Sequence, residues 1–369
     1  MTLTNYWWLL IWLFIGGFIL FRFFPMNREN VCGKIEERWN IVPAVILVIP
    51  YIIWAGFRID NFGDTGAYRE SFFKAPSQLG QLFNYISTIS KDKGFAVLTV
   101  LMKCIFGNSD VLYFLIIAAI QMLILAFVYR KYSCNYWMSI FFFVAATDYM
   151  SWLHNGMRQF LAITVIMAGI GFLLKKKYIQ MICIILLAST FHASALLMIP
   201  VVFIVQGKAW NKKTVFCIIV SVCALFFVGQ FTSILDSLLS NTQYSNMVTD
   251  WQDWNDDGTN PLRVLVYSVP MILSIIGYRQ IKQEDDPVIN VMVNFSIFTA
   301  SVALISMVTS GVFIGRVISY GSVYSQGILL PWEIKNLFTK ESSRIVGALA
   351  IVMYVIFFYY QMHVTWGLV

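Results

Sequence analysis

The sequence has little charge. Only 12% of its 369 residues are Asp, Glu, Lys or Arg, about half the ~25% typical of soluble domains. Such a chain cannot cover a water-facing surface with polar groups. It also lacks a C-x-x-C pair. The six cysteines fall at 32, 104, 134, 183, 217 and 223, mostly inside apolar runs, which reads as free packing thiols rather than disulfides or a metal cluster. No internal repeat, low-complexity segment or soluble domain interrupts it. The first apolar run, 6–24, has no small-residue cleavage site and reads as a retained helix.

What the chain does have is hydrocarbon. It is 59% hydrophobic with a mean hydropathy of +0.72, in runs near the ~17–25 residues that cross a ~30 Å core. The expected fold is all-α: a polytopic membrane protein of about 10–12 transmembrane helices with short re-entrant helices, in a single membrane domain over 1–369. Spans are expected at 5–24, 40–57, 110–130, 134–150, 158–174, 214–231, 262–278, 288–310, 311–330 and 344–362. Two stretches are ambiguous. The first, 94–106, is short and carries Lys103; the second, 178–205, is long and has Ser189, Thr190, His192 and Ser194 at its middle.

The net charge of +7 requires no nucleic acid. Lys and Arg cluster in short connectors, as the positive-inside rule expects of cytoplasmic loops: 22–38, 130–131, 175–177, 208–213, 279–282 and 335–344. All can be cytoplasmic together if 94–106 dips without crossing and 178–205 is a hairpin of two short helices turning at His192. Ten crossings plus that pair result, with the N-terminus outside. The loop 58–93, the connector 148–158, the His192 turn, the loop 232–261 and the Gly311 turn then emerge on one exterior face. Nearly all the polar residues that helix packing does not explain lie in these pieces.

The first external stretch is GFRIDNFGDTGAYRESF, 56–72. Arg58 ends a span, and Asp60, Asp64, Tyr68 and Arg69 follow within a dozen residues. Gly63 and Gly66 permit a tight backbone around Asp64. One reading is a carboxylate base beside an anion-binding guanidinium; the other is a solvated loop with a snorkelling Arg. Arg158 opens the next candidate, MRQFLA. From 159 to 174 there are 16 residues, ~24 Å of helix, so Arg158 sits at or within the edge of hydrocarbon. A guanidinium cannot neutralise itself and needs an anionic partner, yet no acid lies within a helical turn of it in sequence. At the start of its helix, free N–H groups favour an anion, and the fork of Arg158, with Gln159 beside it, suits a phosphate. A rim Arg on lipid headgroups is the alternative.

His192 lies in ASTFHASAL among small residues that leave space around it. It is either a packing residue or a proton-transfer group whose ordinary range spans neutral pH. In GVFIGRVISY, 311–320, Arg316 sits in an apolar run with Tyr320 one turn later. Gly311 and Gly315 would let another backbone or a ligand approach, and Arg316 reads as a second anion clamp. Residues 253–258, DWNDDG, match half a calcium loop, but Val264 stands where a Glu should close it. The aromatics Tyr6, Trp7, Trp8, Trp54, Trp152, Trp251 and Trp254 suit an interfacial belt.

Taken in order, GFR with Gly63, Asp64 and Tyr68, then KDKGF (91–95), MRQFLA (157–162), FHASAL (191–196) and FIGRVISY (313–320) resemble the EpsG family of Wzy-like exopolysaccharide polymerases. The similarity covers about 50–330. The family often shows an acid followed by Pro-Gly-Phe where this chain has Asp92-Lys93-Gly94-Phe95. The resemblance implies a metal-independent, cofactor-free membrane glycosyltransferase with a helical core akin to other lipid-dependent glycosyltransferases. It would act on the outer face of a bacterial cytoplasmic membrane. Donor and acceptor would be oligosaccharide repeat units on undecaprenyl diphosphate, with a flippase and a chain-length regulator as further candidate partners. Arg58, Arg158, Gln159, Arg316, Tyr68 and Tyr320 would then bind substrate and diphosphate, while Asp64 and His192 compete as the base. A lipid-linked oligosaccharide flippase and a membrane O-acyltransferase are the competing functions.

Overall fold

The computed structural model describes residues 6–60, 62–239 and 258–368. It is that of a polytopic all-α membrane protein. The chain divides into two compact units, Met1–Ile199 with Gly347–Val369, and Pro200–Val346.

The first unit opens with α1 (Trp8–Phe23), followed by the antiparallel hairpin β1 (Met26–Val31) and β2 (Lys34–Trp39), then α2 (Ile41–Gly56). The hairpin falls in a stretch expected only as a basic connector. Its two-residue turn, Cys32 and Gly33, has φ of 51° and 96°, the pair of positive values that matches strand twist. After α3 (Thr65–Lys74), α4 (Leu82–Thr88) and α5 (Lys93–Phe106), the long α6 (Asp110–Tyr132) carries the hairpin's anchor. Arg130 near its C-terminus forks onto Glu29 at 2.7 and 3.0 Å, and Arg38 donates to the Lys131 carbonyl at 2.9 Å. Cations and donors at a helix C-terminus meet its exposed carbonyls, so these two arginines hold a tertiary contact rather than lie in a loose basic loop.

The 94–106 segment forms α5, whose 14 residues span ~21 Å, less than a bilayer core. Its Lys103 is buried and donates to the carbonyls of Phe72, Phe73 and Ala75 at 3.0, 2.6 and 2.6 Å. The charge that makes the segment ambiguous in sequence therefore satisfies the carbonyls that α3 leaves open at its end. Next come α7 (Tyr136–Ala145), α8 (Asp148–Met150), a π-helical turn over Ser151–Asn155, α9 (Met157–Ala168), α10 (Ile170–Leu174) and α11 (Tyr178–Phe191). The expected span 134–150 breaks at Thr147, left-handed at φ 66°, and 158–174 divides at Gly169. The 178–205 stretch breaks where expected. His192 is extended at φ −156°, ψ 121° between α11 and a 3-10 turn that leads into α12 (Met198–Ile204).

In the second unit, α13 (Lys212–Phe226) and α14 (Val228–Leu239) meet at a 116° bend that falls inside the span expected at 214–231. A 73° bend separates α15 (Pro261–Ile276) from α16 (Tyr278–Glu284). Then come α17 (Pro287–Met307), α18 (Ile314–Val317), α19 (Ser319–Tyr324), a π-helical turn and α20 (Leu330–Asn336). In α17, 83% of the apolar window is buried, which makes it the unit's central helix. Asn211, Asn260 and Asp286 cap α13, α15 and α17 through their side chains, satisfying N–H groups that the first turn of a helix leaves without an internal partner. Pro270 inside α15 has no N–H for the Val266 carbonyl, and buried Gln326 donates to that oxygen at 2.9 Å instead.

The last helix, α21 (Lys340–Tyr359), returns to the first unit, where Tyr354 packs on Phe142 at 4.6 Å. Its apolar window is only 28% buried, as expected of a helix facing lipid. Among the described residues α6, α17 and α21 with its extension are long and apolar enough to cross a membrane. The two bent pairs raise that count to five. Several other expected spans are runs of shorter apolar helices.

Candidate functional site

Four sequence-distant pieces of the first unit meet around Arg158. It is the second residue of α9, with Gly156 at the N-cap position. Its guanidinium carbon stands 5.6 Å from the ring centroid of Tyr68 on α3. Its partner is Asp92, at the N-cap position of α5, whose Oδ2 lies 3.0 Å from the guanidinium. No acid near Arg158 in sequence could pair with it; the fold supplies one from 66 positions earlier (158 − 92). The Asp92 side chain is 5% exposed and that of Arg158 36%, so the pair has an inner carboxylate and an outer cation. The Nε of Arg158 is buried with no hydrogen-bond partner.

The other carboxylate oxygen of Asp92 reaches the His192 turn, accepting the Ala193 N–H at 3.3 Å. His192 itself is half-buried, with Nδ1 2.6 Å from the Ser194 hydroxyl. Close approach makes this junction possible. A Cβ on Gly94 would lie 2.2 Å from the Thr190 hydroxyl, so only glycine lets the start of α5 press on the end of α11. Burial pushes the Asp92 carboxyl above the usual carboxylate range, and the Arg158 charge opposes that shift.

Tyr68 is buried in an aromatic cluster with Phe72, Phe95, Tyr113 and Phe114. Gln159, beside Arg158, is buried in α9. Asp64 stands one turn before Tyr68, at the N-cap position of α3. Its carboxylate is exposed and caps none of that helix's N–H groups. Arg58 is placed differently. It is 5% exposed, lies 4.5 Å over the Phe114 ring, and donates to the carbonyls of Ala55 and Leu153 at 2.6 and 2.5 Å. Arg69, which sequence reading leaves without a role, binds Asp60, Asp110 at 2.6 Å and the Arg58 carbonyl at 2.9 Å. It locks the loop that carries Asp64 onto α6.

Arg316 and Tyr320 belong to the second unit. Arg316 is half-buried in α18, while Tyr320 is buried in α19. What approaches Gly311 and Gly315 is the protein's own backbone and the Thr259 hydroxyl: a Cβ on Gly311 would lie 2.7 Å from the Gly258 carbonyl carbon. Residues 253–257 of the calcium-like match, with Trp251 and Trp254, lie outside the described residues.

The sequence finds a counterpart among known families. The EpsG family model matches residues 41–366, a stretch that includes every residue of the Arg158 cluster. The chain belongs to the EpsG family. No curated protein and no solved structure matches it. The EpsG family is one of Wzy-like exopolysaccharide polymerases, and membership supports an exopolysaccharide polymerase role and a glycosyltransferase-like enzyme. Asp92, which the sequence leaves without a role, is the acid that the fold brings to Arg158. Its signal is there in KDKGF, in the position where the EpsG resemblance has an acid before Pro-Gly-Phe.

Proposed function

We propose that this EpsG-family protein polymerises polyprenyl-diphosphate-linked oligosaccharide repeat units into a surface polysaccharide at the exterior face of a bacterial cytoplasmic membrane. One observation carries the proposal. Arg158 combines a helix-start position, a side chain 36% exposed and an Nε with no hydrogen-bond partner. Such a group suits an anion that arrives from the membrane edge.

In the proposed reaction an acceptor hydroxyl on the non-reducing end of an incoming unit loses its proton to Asp64 or His192. Its oxygen attacks the anomeric carbon of the growing chain. The carbon–oxygen bond to the carrier breaks, and the electron pair leaves with the polyprenyl diphosphate. Charge grows on the departing diphosphate, and a pre-placed guanidinium stabilises that charge without reorganisation. Arg158 takes this role. Arg58, held on backbone carbonyls, serves the scaffold instead.

Purified protein in proteoliposomes, given a polyprenyl-diphosphate-linked oligosaccharide, should produce a ladder of longer glycans and free polyprenyl diphosphate. Transbilayer movement without elongation would make the protein a flippase. Acyl transfer to the sugar would make it an O-acyltransferase. Either result overturns the proposal.

A further inference from the structure

We propose that Asp92 is a positioning residue and counter-anion: it holds the Arg158 guanidinium in place and competes with the anionic ligand for it. The inference rests on the reading that Arg158 receives the diphosphate. Asp92 joins three elements at once. It occupies the N-cap position of α5, pairs with Arg158 on α9 at 3.0 Å and accepts the Ala193 N–H beside His192 at 3.3 Å. Its backbone is left-handed at φ 56°, ψ 41°, a conformation rare outside glycine and most tolerated by Asn and Asp. The α5–α11 approach at Gly94 fixes the segment on one side. With the side chain 5% exposed, the carboxylate has a defined place, and both of its oxygens are engaged.

Two opposite consequences follow from a fixed anion beside the ligand's cation. The pair keeps the guanidinium oriented while no ligand is present, which is pre-organisation for catalysis. The same negative charge repels an arriving diphosphate and helps the departing one leave. Neutralising Asp92 should therefore tighten diphosphate binding and slow turnover. A residue that merely supports the fold would weaken both.

The experiment uses the full-length protein in detergent with farnesyl diphosphate as the binding probe, alongside elongation of a lipid-linked oligosaccharide. Asp92→Asn keeps an oxygen for the Ala193 N–H and removes the charge. It should bind the probe about tenfold more tightly and elongate at least about tenfold more slowly, in line with one lost charge contact. In an Arg158→Ala background, Asp92→Asn should leave probe affinity unchanged within about twofold, since its effect runs through the guanidinium. Unchanged or weaker binding in folded Asp92→Asn overturns the counter-anion role, as does a tenfold effect that persists without Arg158. If Arg158→Ala alone binds the probe as wild type does, the earlier reading of Arg158 is the one that fails.

Ala193→Pro supplies a second test that leaves both charges intact. It removes the N–H that Asp92 accepts, at the first position of a helical turn where proline is tolerated, after a His192 whose extended backbone suits a following proline. Probe affinity should stay at the wild-type value while elongation falls several-fold. Wild-type elongation by this variant would overturn the positioning role even if Asp92→Asn failed to fold.

Discussion

Arg58 and Arg158 pack on the same aromatic cluster and differ in nearly everything else. Arg58 is 5% exposed, lies over Phe114 and donates to two backbone carbonyls. The side chain of Arg158 is 36% exposed, faces Tyr68 and has one carboxylate partner. Each keeps one buried nitrogen without a partner, Nη2 of Arg58 and Nε of Arg158, so an unused donor alone does not mark a ligand site. What separates the two is the kind of partner. Carbonyls of neighbouring segments tie a guanidinium into the fold. A single acid on its inner side leaves the outer guanidinium able to meet a second anion.

The comparison breaks first on stability. Arg58→Ala would orphan the carbonyls of Ala55 and Leu153, at on the order of 3 kcal/mol for two buried acceptors, and should markedly lower the melting temperature in detergent. Arg158→Ala should cost far less. It leaves Asp92 without its cation, but that carboxyl keeps the Ala193 N–H and takes up a proton more readily than an ordinary carboxylate. Adding Asp92→Asn to Arg158→Ala should recover most of that smaller loss. Equal melting shifts for the two alanine variants would erase the distinction.

The pH dependence sharpens it. Burial raises the Asp92 pKa above its unfolded value, so native protein binds this proton more tightly than unfolded chain. The resulting stability is fully present below the ordinary value of ~3.9 and is lost as pH rises through the raised one. Protonation also removes the counter-anion. The difference in probe affinity between wild type and Asp92→Asn should therefore shrink as pH falls through that window. A difference that stays constant with pH would assign the effect to something other than this carboxyl.

A subtler contrast lies between Asp64 and His192. The exposed carboxylate begins α3, while the imidazole is held by Ser194 beside Asp92's own anchor. Whichever is the base, its substitution (Asp64→Asn or His192→Ala) should reduce elongation by about 10²-fold or more with probe binding retained. Wild-type elongation by either variant removes that residue from the mechanism. The smallest effect belongs to Lys74→Ala, which breaks an exposed pair with Glu70. No measurable change in melting or elongation is expected there.

The membrane class and most helices were legible because hydrocarbon runs are long and the charges are few. The breaks inside them were less so. Thr147 interrupts an apolar stretch without a proline or glycine to announce it, and only packing determines where the chain bends there. The hairpin at 26–39 was hidden because Arg28, Lys34 and Arg38 satisfy a topology rule as well as they satisfy a strand. Its Cys-Gly turn was the available sign. Other ends were spelled out: Asn-Pro at 260–261 and Asp-Pro at 286–287 are a cap followed by a residue suited to the first helical position. At the site, Arg158 was visible as a charge in a costly place. Its pairing with Asp92 was not: KDKGF marks an acid, but Lys93 stands where the family often has proline, and nothing local says that this acid meets α9. The separate fates of Arg58 and Arg158 could not be read at all, since both are arginines at the ends of apolar runs and only their neighbours differ.

Polymer made by cells that express Arg158→Ala and Arg158→Lys, at membrane levels matched to wild type, tests the account most directly. Lysine keeps the charge and loses the planar fork, which is not a conservative change at a two-point anion contact. The alanine variant should make no polymer and the lysine variant short, sparse polymer, with both proteins inserted and monodisperse. Full-length polymer at wild-type yield from Arg158→Ala would contradict it.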